Sequence, residues 1–429
     1  MQLVKTFRQL AAIVSFFGGL IFSAHAGFSS IYVWGDSLST TTTNNGGASP
    51  YYYGQRYSNG RTWVEVLAQR QGLGANSITN ANWVYSSNNL SYYYHLSSNV
   101  VADVGRFNPP ANASNCLFVI WVDNADFVAD MLGFGQTPPY GTTNQAAWTA
   151  AINQHLINHS NAIVNLYAKG CLSLVAPNAA DVTTIPQFNN SGAAYCAFVR
   201  RQITSFNASY ATMLNQIAAS YPGLVIYNPD IFSLLNHVLT NAASYGLTNA
   251  LYDQGNGFGP QPIDAIDAYS YGLINNANIT NSPGTNYIFW DDTSPTAAMG
   301  EVIADFAQQC LSPVQFSRIK QVGGSNRLDV VNMPVGLGGF VDNSTNPVPG
   351  SWTLGITNFT GLTSAQSIFI PTPPLPDGFG SGLTNISGGG GVSIDPNNPG
   401  TNSASGTNTF FNSAGQFYRL RFPYSWNWP

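Results

Sequence analysis

Charge is what this 429-residue chain has least of: Lys, Arg, Asp and Glu make up 8% of it, roughly a third of the usual share. Its 14 basic and 19 acidic residues give a net charge of -5, which leaves no basic footprint for nucleic acid. The surface must instead be wetted by Asn, Ser, Thr, Gln and Gly. Cysteine is scarce as well. Cys116, Cys171, Cys196 and Cys310 form no CxxC and no metal-like spacing, so neither a cysteine-dense scaffold nor a cysteine-held metal centre is expected. After the first residues no run is long and apolar enough to cross a bilayer.

Hydrophobic residues reach 44%, enough for real cores, and the length fits two folded units. Residues 1–26 read as an export signal. Lys5 and Arg8 give a positive start, residues 10–22 an apolar stretch, and Ala24, His25 and Ala26 a small-x-small cleavage site. The alternative is a membrane anchor, for which the apolar run is short. The protein is therefore expected to be secreted, periplasmic or at the cell surface, where disulfides are possible. Four cysteines allow three full pairings. Cys116 and Cys171 each open an apolar run (LFVIWV and LSLVAP), and would pair reasonably if those runs are neighbouring parallel strands. Buried free thiols are the alternative.

Apolar strand-like runs at 31–34, 117–122, 172–175 and 224–227 alternate with helical spacing at 61–71, from 148 to about 169, 193–219 and 296–311. In the second helix Trp148, Ile152, Leu156, Ile163 and Leu166 mark one face. Such alternation predicts a parallel sheet covered on both faces, an α/β/α arrangement, over residues 27–312. From residue 313 to 429 the rhythm changes to short runs, such as 327–331 (RLDVV) and 416–422 (QFYRLRF), separated by Gly, Pro, Asn and Ser. These predict an antiparallel β-sandwich interrupted by a flexible insertion near 371–409.

The chemistry is expected just after the first strand, where Gly35, Asp36, Ser37 and Leu38 turn the chain. Ligands of open α/β sheets gather at the carboxyl ends of strands. A serine there sits near helix-terminal amides that favour developing negative charge, but it needs a base and a group that orients the base.

The segment IYVWGDSLS at 31–39 resembles the first block of the SGNH/GDSL serine ester hydrolases, and further blocks follow in order. SNGRTW at 58–63 is similar to the second, FVIWVDNADF at 118–127 to the third, and FWDDTSPT at 289–296 to the last. The resemblance spans about residues 28 to 311. It implies a three-layer, flavodoxin-like α/β/α domain that hydrolyses carboxylic esters of a lipid or an acetylated glycan, without cofactor or metal. It implies that Ser37 is the nucleophile, Asp291 the group that orients the base, Gly60 an oxyanion donor, and Asp36 and Asp126 neighbours of the substrate.

Two departures stand out. Asp126 aligns with the family's aspartate, so the oxyanion asparagine falls on Ala125; Asn124, one place early, is a second oxyanion candidate if a one-residue bulge restores the register. The family's histidine falls on Ser294, whose hydroxyl cannot accept a proton at neutral pH. Of the other histidines, His155 and His159 read as the polar flank of a surface helix and His237 as a helix-edge residue. His95, in a tyrosine-rich loop, is the one candidate substitute base. Tyrosines 51–53 and 92–94 either line a substrate groove or pack loop bases. The alternative function is a catalytically silent domain that binds glycan or surface polymer.

Overall fold

The computed structural model describes residues 28–41, 51–71, 73, 89–133, 141–188, 190–255, 257, 259–274 and 283–312, and the strand segments 315–322, 325–332, 338–344, 353–360, 365–371, 410–411 and 417–421. The expected export signal and the insertion at about 371–409 lie outside them, apart from Pro371.

Four strands build a parallel sheet in the order β1 (Ile31–Gly35), β2 (Leu117–Trp121), β3 (Ser173–Val175), β4 (Val225–Tyr227). Gly35 pairs with Trp121 and Phe118 with Leu174, so the carboxyl ends share one edge. The first two strands are apolar along their length because they are buried on both faces. A parallel bridge from Val33 to Asn89 lies outside the named strands.

Among the described residues there are eight α-helices: α1 (Trp63–Arg70), α2 (Ser97–Arg106), α3 (Asp123–Leu132), α4 (Gln145–Ala168), α5 (Ala193–Ser220), α6 (Ile231–Asn241), α7 (Ala265–Ser270) and α8 (Ala297–Leu311); α1, α4, α5 and α8 fall on the helical spacing of the sequence. α1 packs on α8, while α2 packs on α4 and α4 on α5. The predicted face of α4 is the one that is covered, with Trp148, Ile152, Ile163 and Leu166 buried. None of these helices is long and apolar enough to cross a membrane.

Beyond the last helix the described chain is all strand. β7 (Gln315–Val322), β8 (Ser325–Val331) and β11 (Ala365–Pro371) form an antiparallel three-stranded sheet. β9 (Gly338–Ser344), β10 (Thr353–Thr360), β12 (Phe410–Phe411) and β13 (Phe417–Arg421) form a four-stranded one. In β8 alternate residues are buried, as an antiparallel sheet with one wet face requires. A small pair, β5 (Leu251–Tyr252) and β6 (Gln261–Pro262), stands apart from these sheets.

β2 and β3 are the neighbouring parallel strands that would set Cys116 beside Cys171. All four cysteines are nevertheless free thiols. Burial pushes the Cys171 thiol up to about 12, which makes it an inert group.

Candidate active site

The carboxyl edge of the parallel sheet is held together by the segments read from the sequence. After Gly35 the chain makes a single 3-10 turn, Ser37–Ser39, capped by Asp36, whose Oδ1 accepts from the Leu38 amide at 2.9 Å. Gly35 is required by close approach: a Cβ there would lie 2.4 Å from that of Ser39. Trp63 Nε1 donates to Ser39 Oγ at 3.0 Å, and Asn89 Nδ2 to the Ser39 carbonyl at 2.7 Å. The second and last blocks also meet. Ser58 donates to the Pro295 carbonyl, Asn59 accepts from the Ala297 amide at 2.8 Å, and a Cβ on Gly60 would meet that of Ala297 at 2.7 Å.

Ser37 opens on a cavity of about 70 Å³. Asp36, Ser37 and Asn124 form one wall, and Val128, Val182, Ile185, Leu235, Met299 and Ile303 make the rest largely apolar. Tyr93 and Tyr94 also line it, with Tyr93 exposed and stacked on Tyr57 at 5.2 Å. Asn124 sits in the first turn of α3. Its Oδ1 accepts from the Ala180 amide at 2.9 Å, while its Nδ2 is buried. That N–H₂ faces the Asp36 carboxylate and favours its charged form as a donor, at the edge of the cavity. Burial raises Asp36 from an ordinary 3.8 to about 7, and Asp123 adds to the rise against the Leu38 and Asn124 donors.

Other predicted residues stand elsewhere. Asp291 is consumed locally: its Oδ1 accepts from the amides of Thr293 (2.9 Å) and Ser294 (2.6 Å), and its Oδ2 from Tyr52 Oη (2.6 Å). No histidine is on its turn for it to orient. Ser294 is fully buried with its hydroxyl unpartnered, and its neighbours Thr293 and Pro295 face the cavity in its stead. Gly60 packs on α8 and is not part of the cavity wall.

His95 does not occupy the place of a base to Ser37. Its Nδ1 donates to the Gly35 carbonyl at 3.0 Å and its Nε2 lies 3.1 Å from Asp103, with Tyr92 stacked 4.0 Å away. Burial lowers its pKa. The ring braces the strand end that carries Ser37.

Asp126 is likewise not at the cavity. Its Oδ1 accepts from the Ser97 amide at 3.0 Å, and its Oδ2 faces His155 Nδ1 at 3.5 Å. The pair His155 and His159, expected on a surface flank, is turned inward onto α3: His159 is 1% exposed, with Nε2 2.5 Å from Asp123, and His155 Nε2 is 2.9 Å from Asp130. The i, i+4 spacing was visible in the sequence. Its acidic partners lie 25 or more residues away on another helix, where no local motif joins them.

No family model and no curated protein matches the chain. Among solved structures it is similar to the lipase Lip_vut3 from a goat rumen metagenome, at 8% identity and a TM-score of 0.34, covering 66% of this chain and 96% of that one. It is also similar to LAE5, an α/β hydrolase enzyme from the metagenome of Lake Arreo, Spain, at 11% identity and a TM-score of 0.32, covering 67% and 97%. Both likenesses are faint, and the functional reading rests on the residues around Ser37.

Proposed function

We propose that this chain is an exported serine ester hydrolase of the SGNH/GDSL type that acts on esters with a small apolar acyl group. The observation that carries this reading is Ser37 on the wall of an apolar cavity that Asp36 and the buried amide of Asn124 also line. The bridge from Asn89 to β1 supports the family reading: counting that segment, the spatial order becomes 2-1-3-4-5, with a switch point where Ser37 sits. The two C-terminal antiparallel sheets fit a β-sandwich accessory unit for a glycan or surface polymer.

In this reading Ser37 Oγ attacks the acyl carbon and the carbonyl oxygen takes up the charge. Asn124 Nδ2–H donates to that oxyanion, in a dry site where such a bond is worth most. The proton of Ser37 passes to Asp36, the one carboxylate of the cavity wall, directly or through one water. A carboxyl poised near 7 is a better base than an ordinary aspartate. It is still weaker than a positioned imidazole, so turnover should fall about 10⁴- to 10⁶-fold short of a full triad. A silent binding domain is the second reading. It is favoured by a specific fact: among the described residues no histidine lines this cavity.

Labelling with a serine-reactive fluorophosphonate, followed by peptide mapping, separates the two. The hydrolase reading expects modification at Ser37, slow release of p-nitrophenol from p-nitrophenyl butyrate, and loss of both in Ser37→Ala. Asn124→Ala should lower kcat/KM about 10²-fold with labelling retained. No labelling, together with saturable binding of butyrate or an acetylated oligosaccharide, would establish the binding module instead.

A further inference from the structure

α3 presents two surfaces with different chemistry. One carries Asn124 to the cavity. The other sets Asp123 and Asp126 against His159 of α4. One oxygen from each aspartate and one ring nitrogen of His159 lie within 4.8 Å of one another, and all three side chains are buried. Neither oxygen of Asp123, nor Asp126 Oδ2, nor either nitrogen of His159 makes a hydrogen bond. The 2.5 Å approach of His159 Nε2 to Asp123 is therefore a charge contact without the in-line geometry of a hydrogen bond. Tyr210, packed edge-on to His159 at 5.1 Å, also keeps a buried hydroxyl with no partner. A buried ion-pair cluster with so few hydrogen bonds is expensive in a dry interior, and a bound cation at that point would engage its oxygens and nitrogen together.

The donor set indicates the species. Two carboxylate oxygens and one imidazole nitrogen suit a tetrahedral cation of borderline softness. Calcium and magnesium sites are built from oxygen. The outer contacts also have the form such a site needs. Asp126 is fixed by the Ser97 amide at 3.0 Å and faces His155, which is anchored on Asp130 at 2.9 Å.

We propose that Asp123, Asp126 and His159 form a buried site for one divalent cation of the zinc class, which clamps α3 to α4 behind the cavity. Asn124, next in the chain to Asp123, would then be held in place from behind by the metal. The site stands whether or not Ser37 is a nucleophile.

The test uses the full, untagged chain stripped with chelator, loaded with zinc chloride and desalted. Elemental analysis should find about one zinc per chain, and melting should shift upward reversibly on chelation. His159→Gln and Asp123→Asn should each reduce uptake to under about a tenth of that, and His155→Gln should weaken it about 10-fold. His237→Gln and Ser37→Ala should keep it. Circular dichroism on each variant separates lost metal from lost fold, and wild-type uptake decides the matter if a variant fails to fold. No stoichiometric zinc, cobalt or manganese in the wild type would overturn the proposal and leave an internal ion-pair cluster. Uptake unchanged in a folded His159→Gln variant would overturn it by placing the metal elsewhere.

Discussion

Asp36 combines two demands on one side chain. It caps the turn that holds Ser37, and it does so fully buried. Above its ordinary pKa of 3.8 the unfolded chain has released the proton, while the folded chain keeps it until about pH 7. Across that window the folded state binds more protons, so stability must fall as pH rises, and the whole penalty is present above about 7. For a wholly buried group this is on the order of 4 kcal/mol. Asp36→Asn keeps the capping oxygen and removes the titration. Urea unfolding of both proteins between pH 4.5 and 8 should show the wild type losing stability relative to the variant as pH increases; parallel curves would mean that Asp36 is not held near 7. The same residue bears on how much of the site could be read in advance. Ser37 and Asp36 announced themselves through a strand ending in a turn. Ser294 was visible only as a missing histidine, because nothing local says that its side chain points into the core while Thr293 and Pro295 face the cavity.

Between elements, the entry to α1 is set by a buried ion pair. Arg56 grips Glu65 through two bonds, Nε to Oε2 at 2.7 Å and Nη2 to Oε1 at 2.5 Å, with neither side chain exposed. Glu65 Oε2 also accepts from the Thr62 amide at 2.9 Å, closing a capping box at the helix start. Removing one partner strands the other charge in the interior, which costs about 3–5 kcal/mol. Arg56→Met should destabilise the fold by that amount in chemical denaturation, and adding Glu65→Leu should return part of it. A loss under about 1 kcal/mol would show the pair to be hydrated, as exposed pairs are. Elements whose burial is apolar were legible: β1, β2 and the covered face of α4 follow periodicities of burial that need no partner to be recognised. α3 was not. Its sequence DNADFVADML sets four polar residues among six apolar ones, and Asp123, Asn124, Asp126 and Asp130 are all buried, three of the four facing histidines of α4. A buried polar face hides from a hydropathy pattern, and with it went the inward orientation of His155 and His159.

For the whole molecule the decisive fact is where the core ends. Among the described residues, the core around the parallel sheet draws its buried side chains from residues 31 to 311. The sequence changes rhythm at residue 313, where a chain leaving helix-covered parallel strands for one-sided antiparallel ones is expected to change its period, and a domain boundary there is the proposal to test. Phe316, Leu328, Val330, Val341, Ile368 and Ile370 are buried but belong to the later strands and take no part in that core. Stability is a property of a cooperative core, so the two parts should unfold independently. A chain ending at Ser312 should stay soluble, unfold in one cooperative step, and keep whatever fluorophosphonate labelling at Ser37 and zinc uptake the full chain shows, with a melting temperature within about 4 °C, the shift expected of roughly 1–2 kcal/mol in a domain of this size. If the shortened chain aggregated or melted without cooperativity, the strands after residue 313 would have to contribute to the first core, and the boundary read from hydropathy would mark a change of architecture inside one folding unit.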